Sequence, residues 1–360
     1  MKRVIVVLLG MAGLLHPASA LAHTRGAVFT LSNAASGNRV IAFQRDANGH
    51  LGPRHTFATG GRGTGAGLGS QGSLTLSPDG RRLYAVNAGS DTLSVFRVSG
   101  ARLHRLEVVR SGGDLPISVA VGAGRVYVLN AGTTPSVVGF RVTGAGITRI
   151  DGAWRHLAAG DEDPAEVALS PAGNVLVVTN KTSSTIDTIR IRRHGALAHA
   201  VPHPSVGGTP FGFAFAHSGA LVVSDASIPP SSGATSYSVS RSGGLAATSP
   251  AIENHQQAAC WVAVTPSSRF AYTANTGSGT VSAYRIEHGA IALLGNGVAA
   301  DTGAGSKPAD EAITPRGDVL YVLLGGVGRV QALRIGAGGT LHHAGSVGSL
   351  PAGGAGLAVR

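Results

Sequence analysis

The chain has 360 residues, with 29 Lys and Arg against 18 Asp and Glu, a formal charge of +11, 5% aromatic residues and a single cysteine. One cysteine excludes an intramolecular disulfide framework. Dispersed basic charge with so few aromatic rings argues against a nucleic-acid surface, which calls for a basic face interleaved with stacking side chains.

Met1-Lys2-Arg3, the apolar run from Val4 to Leu15 and the small-residue sites Ala18-Ser19-Ala20 or Ala20-Leu21-Ala22 have the layout of a secretory leader. Residues 1–22 are therefore expected to be removed, leaving an exported chain that is periplasmic or extracellular. No cysteine follows the leader for lipid attachment. No later apolar stretch reaches the roughly 18 residues of a membrane span, so no transmembrane segment is expected.

From residue 23 onward one phrase recurs seven times, most plainly as Ser77-Pro78-Asp79-Gly80-Arg81-Arg82-Leu83-Tyr84-Ala85-Val86-Asn87 followed by the alternating run Thr92 to Val98. It reads as a turn, an apolar strand ending in Asn, a second turn and another strand. The strand-end residue falls at Asn33, Asn87, Asn130, Asn180, Asp225 and Asn275, with Leu324 in the last copy, at intervals of 54, 43, 50, 45, 50 and 49 residues. A period near 50 accommodates four short strands, one blade of a propeller. The expected fold is all-β: one seven-bladed β-propeller over residues 23–360. The first copy lacks an inner strand, and Ala355 to Val359 resembles the inner strands Ser73 to Leu76 and Glu166 to Leu169, so the C-terminus is expected to close the ring. Closure removes sheet edges that would template aggregation, and a monomer is expected.

Antiparallel pairing brings the starts of the inner strands and the ends of the second strands to one mouth of the central channel. Candidate ligand-binding residues there are Gln71, Asn87, Asn130, Asn180, Asp225, Gln257, Asn275, Lys307, Asp310 and Glu311. The Asn residues also suit plain turn chemistry. Glu166, Asp310 and Glu311 sit at strand starts with no turn to make, and carboxylates confined at a narrow mouth raise one another's pKa. Apart from the leader the only lysines are Lys181 and Lys307, at equivalent ends of their blades. Lys181 beside Glu166 would lower the carboxyl's pKa and favour a base role. The glycine-rich segment Gly60 to Gly72 contains G-x-G-x-x-G, yet it leads into a strand rather than a helix and so is not a dinucleotide fingerprint. It is expected to be a flexible loop over the mouth, with Arg62 able to meet an anionic ligand. Cys260 reads as a small buried apolar residue, and the histidines, His199, His203, His342 and His343 among them, do not fall into ligand spacings.

The repeated Ser-Pro-Asp-Gly-x-x-Leu-Tyr phrase, at 77–87 and more loosely at 170–180, resembles the seven-bladed β-propeller lactonase family, which includes 6-phosphogluconolactonases and carboxymuconate cyclases. The resemblance spans the chain from residue 23 and implies a lactone-hydrolysing or lactone-closing activity. Catalytic members carry Pro-Arg-His at inner-strand starts. This chain has Pro116-Ile117-Ser118, Pro164-Ala165-Glu166, Pro210-Phe211-Gly212, Ala259-Cys260-Trp261 and Pro308-Ala309-Asp310 instead.

Two function classes follow. In the first the protein is a lactonase or lactonising cyclase, with Glu166 as acid or base and Lys181 or Arg62 stabilising negative charge; a calcium-dependent form would take Glu166, Asn180, Asp225, Asn275 and Glu311 as oxygen ligands. In the second it is a non-catalytic propeller that binds a small ligand, a polysaccharide or an envelope protein. The loop Ile228 to Gly233 lengthens a rim there.

Overall fold

The computed structural model describes residues 26–158, 160, 163–228 and 230–360. The leader expected at 1–22 and Pro229 of the lengthened rim loop lie outside the described residues. Seven antiparallel sheets of four strands, two with an extra short strand, form the propeller. Blade two is typical: from the channel outward it runs Leu74–Leu76, Arg82–Asn87, Thr92–Ser99 and Arg102–Arg110. Inner strands of blades three to seven are Pro116–Gly122, Pro164–Leu169, Gly208–Phe215, Ala259–Val264 and Pro308–Ile313.

Blade one is assembled from both ends of the chain, as its missing inner strand requires. Ala355–Val359 pairs antiparallel with Gly26–Leu31, placing Val359 opposite Val28 and Ala358 opposite Phe29. The Ala27 and Arg360 backbones exchange hydrogen bonds of 3.2 and 3.0 Å.

The second strand of each blade is packed on both faces by neighbouring sheets. Val175–Asn180, Phe270–Asn275 and Val319–Leu324 are buried along their whole length, which explains why their sequences are nearly continuous apolar runs rather than alternating ones. Outer strands such as Arg102–Arg110 are mostly open to solvent and take charged residues. A tyrosine in the second strand ties adjacent blades: the hydroxyls of Tyr127, Tyr272 and Tyr321 donate to the carbonyls of Gly195, Gly339 and Gly49, at 3.2, 3.1 and 2.8 Å. Each acceptor lies in the hairpin turn of the next blade. At Gly339, φ is +86° and an added Cβ would come within 2.6 Å of Phe270, so the turn needs glycine both for its backbone and for the close approach. In blade two Arg82 does the equivalent work, its Nη1 donating to the Gly146 carbonyl at 3.0 Å.

The inner strands share one irregularity that positions the site. Register slips by a residue at Pro116/Ser118, Pro164/Glu166, Ala259/Trp261 and Pro308/Asp310. Such bulges re-aim side chains at the start of a strand, and Glu166 and Asp310 stand directly after them.

Candidate functional site

The glycine-rich segment enters the mouth rather than arching loosely over it. In other blades the residue after the strand end bonds back to the residue before the inner strand, as Ala131 does to Leu115, Lys181 to Asp163 and Thr276 to Ala258. In blade two the ladder begins only at Ser73, whose carbonyl accepts from Val86. Residues 69–72 are thereby freed to cross the channel. The Gln71 amide nitrogen donates to the Ala165 carbonyl of blade four at 3.1 Å. Its side chain reaches blades five and six, Nε2 donating to the carbonyls of Phe213 and Val262, while Oε1 accepts from Val262 N at 2.9 Å. Ser70 Oγ donates to the Ile117 carbonyl of blade three, and Trp261 Nε1 donates to the Ser70 carbonyl. Backbone groups of four blades thus hold one short segment.

Lys181 stands beside this plug. Its Nζ donates to the Gly69 carbonyl at 2.9 Å, pairs with Asp163 Oδ1 at 3.0 Å and lies 5.0 Å from the centroid of Phe211. Phe211 in turn contacts Trp261, with ring centroids 5.1 Å apart. Phe211, Trp261, Cys260 and Ala165 form a buried apolar cluster with Ala258 and Ala309 against it. The mouth therefore offers a cation above an aromatic wall. Cys260 belongs to that wall; burial pushes its thiol up to about 11, so it stays protonated.

Glu166, Asp310 and Glu311 are all buried at the channel. Glu166 Oε2 accepts from the Phe213 amide at 2.6 Å, on the same peptide chain that Gln71 holds through the Phe213 carbonyl. Asp310 Oδ1 accepts from the Glu311 amide at 2.8 Å, and Asp310 Oδ2 and both Glu311 carboxyl oxygens have no hydrogen-bond partner among the described residues. Burial raises the Asp310 carboxyl to about 8. Burial first, and the neighbouring Asp310 second, push Glu166 and Glu311 well above the usual carboxylate range; for Glu166 the Phe213 hydrogen bond opposes the shift. This corrects the expectation that Lys181 lowers Glu166. The lysine is engaged by Asp163, and desolvation sets the direction of the shift, which favours the role of an acid over that of a base.

The strand-end residues have another arrangement. Asn87, Asn130, Asn180, Asp225 and Asn275 are fully buried. Asn87 Nδ2 donates to Thr92 and Ser94, and Asn275 Nδ2 to Thr280 and Ser282, bracing the hairpin that follows. Asn180 Nδ2 reaches Thr185, and Asp225 Oδ2 accepts from Thr235 at 2.6 Å. Asn130 has Ser136 opposite it, and neither of its side-chain amide atoms finds a partner among the described residues. Only Asn33 has left-handed backbone, with φ +47°.

Arg62, Gln257 and Lys307 are exposed on the rim. Arg62 is fixed through its backbone, its amide donating to Ser90 Oγ. Gln257 Nε2 donates to the Pro230 carbonyl of the lengthened blade-five loop at 3.2 Å. The expected oxygen set for calcium does not converge: among the described residues no three His, Cys, Asp or Glu side chains gather to hold a metal ion.

Sequence reasoning placed Phe211 at an inner-strand start but missed Ser70, Asp163 and Trp261 as groups that build the mouth. One signal for the plug was present. The interval of 54 residues before Asn87 is the longest of the six, and its surplus is the crossing segment.

Residues 35–144 and 146–227 match the family described as lactonase, 7-bladed beta-propeller. No curated protein matches the sequence. Among solved structures, a Bacteroides uniformis protein described as a candidate 6-phosphogluconolactonase superposes with a TM-score of 0.75 at 16% identity, over 93% of this chain and 99% of that one. The periplasmic gluconolactonase of Pseudomonas aeruginosa gives a TM-score of 0.74 at 16% identity, over 93% and 98%. Hydrazine synthase of Kuenenia stuttgartiensis gives 0.59 at 15% identity, over 85% and 94%. Likeness at such identities concerns the fold, which unrelated chemistries share.

Proposed function

Because the chain belongs to the seven-bladed β-propeller lactonase family, we propose that it is an exported protein that hydrolyses a lactone, or closes one in the reverse direction, at the mouth of its central channel. One observation carries this reading: a cation, Lys181, lies over the aromatic wall of Phe211, and two residues along that strand the Phe213 amide holds the buried carboxyl of Glu166.

In hydrolysis, water adds to the ring carbonyl while the bond from that carbon to the ring oxygen breaks, and the ring oxygen takes a proton. Lys181 stabilises the negative charge that develops on the carbonyl oxygen and on the product carboxylate. Glu166 supplies the proton to the departing oxygen and takes back the proton that the attacking water releases; the upward shift that burial gives its pKa favours the donor role. Arg62 on the rim meets an anionic substituent. A sugar lactone fits the mix of apolar wall and polar rim, and the periplasmic gluconolactonase with the same fold supports that substrate class. Export rests on the composition of residues 1–22.

The plug favours a second reading. Ser70 and Gln71 close the mouth with the chain's own atoms, which suits a binding propeller that uses its rim loops without catalysis. A panel of sugar and aromatic-acid lactones, followed by acid release above the spontaneous rate, separates the two. Lactonase action predicts turnover that falls on the order of a hundredfold or more in Glu166→Gln, the scale of a general acid. Full activity in a Glu166→Ala, Lys181→Ala double variant overturns the site assignment, and background rates across the panel overturn catalysis.

A further inference from the structure

The end of the ring opposite the mouth has a repeated feature that the lactone reading does not use. Third strands run away from the mouth, and their last full turn of the ladder reads aromatic or aliphatic, Arg, aliphatic in five blades. The arginines are Arg97, Arg141, Arg190, Arg285 and Arg334, and all five are exposed between buried or half-buried apolar neighbours. They stand at one height, because each lies opposite the start of its blade's second strand: Arg82, Arg125, Val175, Phe270 and Val319 respectively. Blade five has Ser238 at this place and an exposed Arg241 in the following turn; blade one has Gln44. Arg81, Arg269 and Arg316 add exposed charge in the neighbouring turns.

Little on that face neutralises them. Arg97, Arg141 and Arg190 have no side-chain partner among the described residues. Arg285 pairs with Glu287 at 3.3 Å and Arg316 with Asp318 at 3.8 Å, both pairs exposed to solvent, where such contacts are weak. Asp46, beside His50, and Asp79, beside Ser77 and Arg81, are exposed carboxylates at that end, where the arginines outnumber the acids. Arg82 lies directly across the ladder from Arg97, and Arg125 from Arg141, like-charge pairs that cost stability unless an anion relieves them. The mouth side mixes signs instead, with Asp91, Asp114, Asp163 and Asp301 among its bases.

We propose that this arginine ring docks the propeller flat on a membrane surface of anionic phospholipids, leaving the mouth facing away. The planarity of the ring selects the partner: equivalent positions around a propeller lie in one plane, matching a sheet of phosphate headgroups, whereas a linear polyanion would engage only an arc. The exposed large apolar residues Val108, Trp154, Val201, Val206, Val298 and Val327 lie on outer strands, loops or the mouth side, so the attachment is electrostatic and without insertion.

The test is co-sedimentation of the purified protein with phosphatidylglycerol–phosphatidylcholine vesicles at low salt. The expected result is binding that disappears in high salt and on pure phosphatidylcholine vesicles. Arg97→Gln, Arg141→Gln, Arg190→Gln together should weaken it by about a hundredfold, from a contribution of about fivefold per arginine. Arg39→Gln, Arg110→Gln, Arg329→Gln together remove equal charge from the mouth side and should change it only a few-fold. Thermal melts of both triple variants verify that they fold. Equal losses in the two variants, salt-resistant binding, or displacement by soluble polyphosphate at equal phosphate concentration overturn the proposal.

Discussion

Three carboxyl groups buried at the channel make stability depend on pH in a definite direction. The Asp310 carboxyl moves from an ordinary 3.8 to about 8 in the folded chain. Below 3.8 it is protonated in both states and its burial carries no ionisation penalty. As pH rises the unfolded chain ionises first, so stability is lost progressively through the folded pKa. Glu166 and Glu311 shift in the same direction. The melting temperature should therefore fall between about pH 4 and about pH 8, and Asp310→Asn should flatten part of that fall; a melting temperature constant over the range refutes it. The interblade tyrosines give a second residue-scale expectation. Tyr272→Phe leaves the Gly339 carbonyl without its donor and should cost about 1–3 kcal/mol by chemical denaturation.

At the scale of elements, the crossing segment is held by particular neighbours. An added Cβ at Gly212 would meet Gln71 Oε1 at 2.2 Å and the Cys260 carbonyl at 2.6 Å. Gly212→Ala should displace the Gln71 side chain and destabilise by about 1–3 kcal/mol, the usual cost of overpacking. Gln71→Ala should speed hydrogen exchange at the Val262 amide, which bonds to Gln71 Oε1. An unchanged rate there would show that the bond does not hold the plug. Glycine richness announced a loop at 60–72, but its path could not be read locally. That path depends on acceptors at Ala165, Phe213 and Val262, which lie far away in sequence. Strand-end Asn residues were equally visible, yet a residue that braces its own hairpin and one that contacts a ligand look alike in a sequence. Asn87 and Asn275 brace; the threonines and serines five and seven residues later are what decide it.

For the whole molecule, ring closure is the main constraint. Ala355–Val359 supplies the inner strand of blade one, so removing residues 355–360 leaves Gly26–Leu31 as an open edge. The truncated chain should melt at lower temperature and self-associate through that edge, which light scattering with a thermal melt would detect. A truncated chain that melts like the intact one would show that closure contributes little.

The sequence by itself determined the blade count, the strand order and the closing strand, because a propeller repeats one local pattern and each copy reports the same alternation of turn and strand. It also marked Glu166, Asp310 and Glu311 as out of place at strand starts. Only the tertiary structure decided what those residues are. Whether a carboxyl is ionised depends on the solvent and charge around it, and burial at the channel, with Lys181 taken by Asp163, reverses the shift expected of a carboxyl beside a lysine. The same holds for the arginines, scattered along the chain and gathered into one plane only when the blades close.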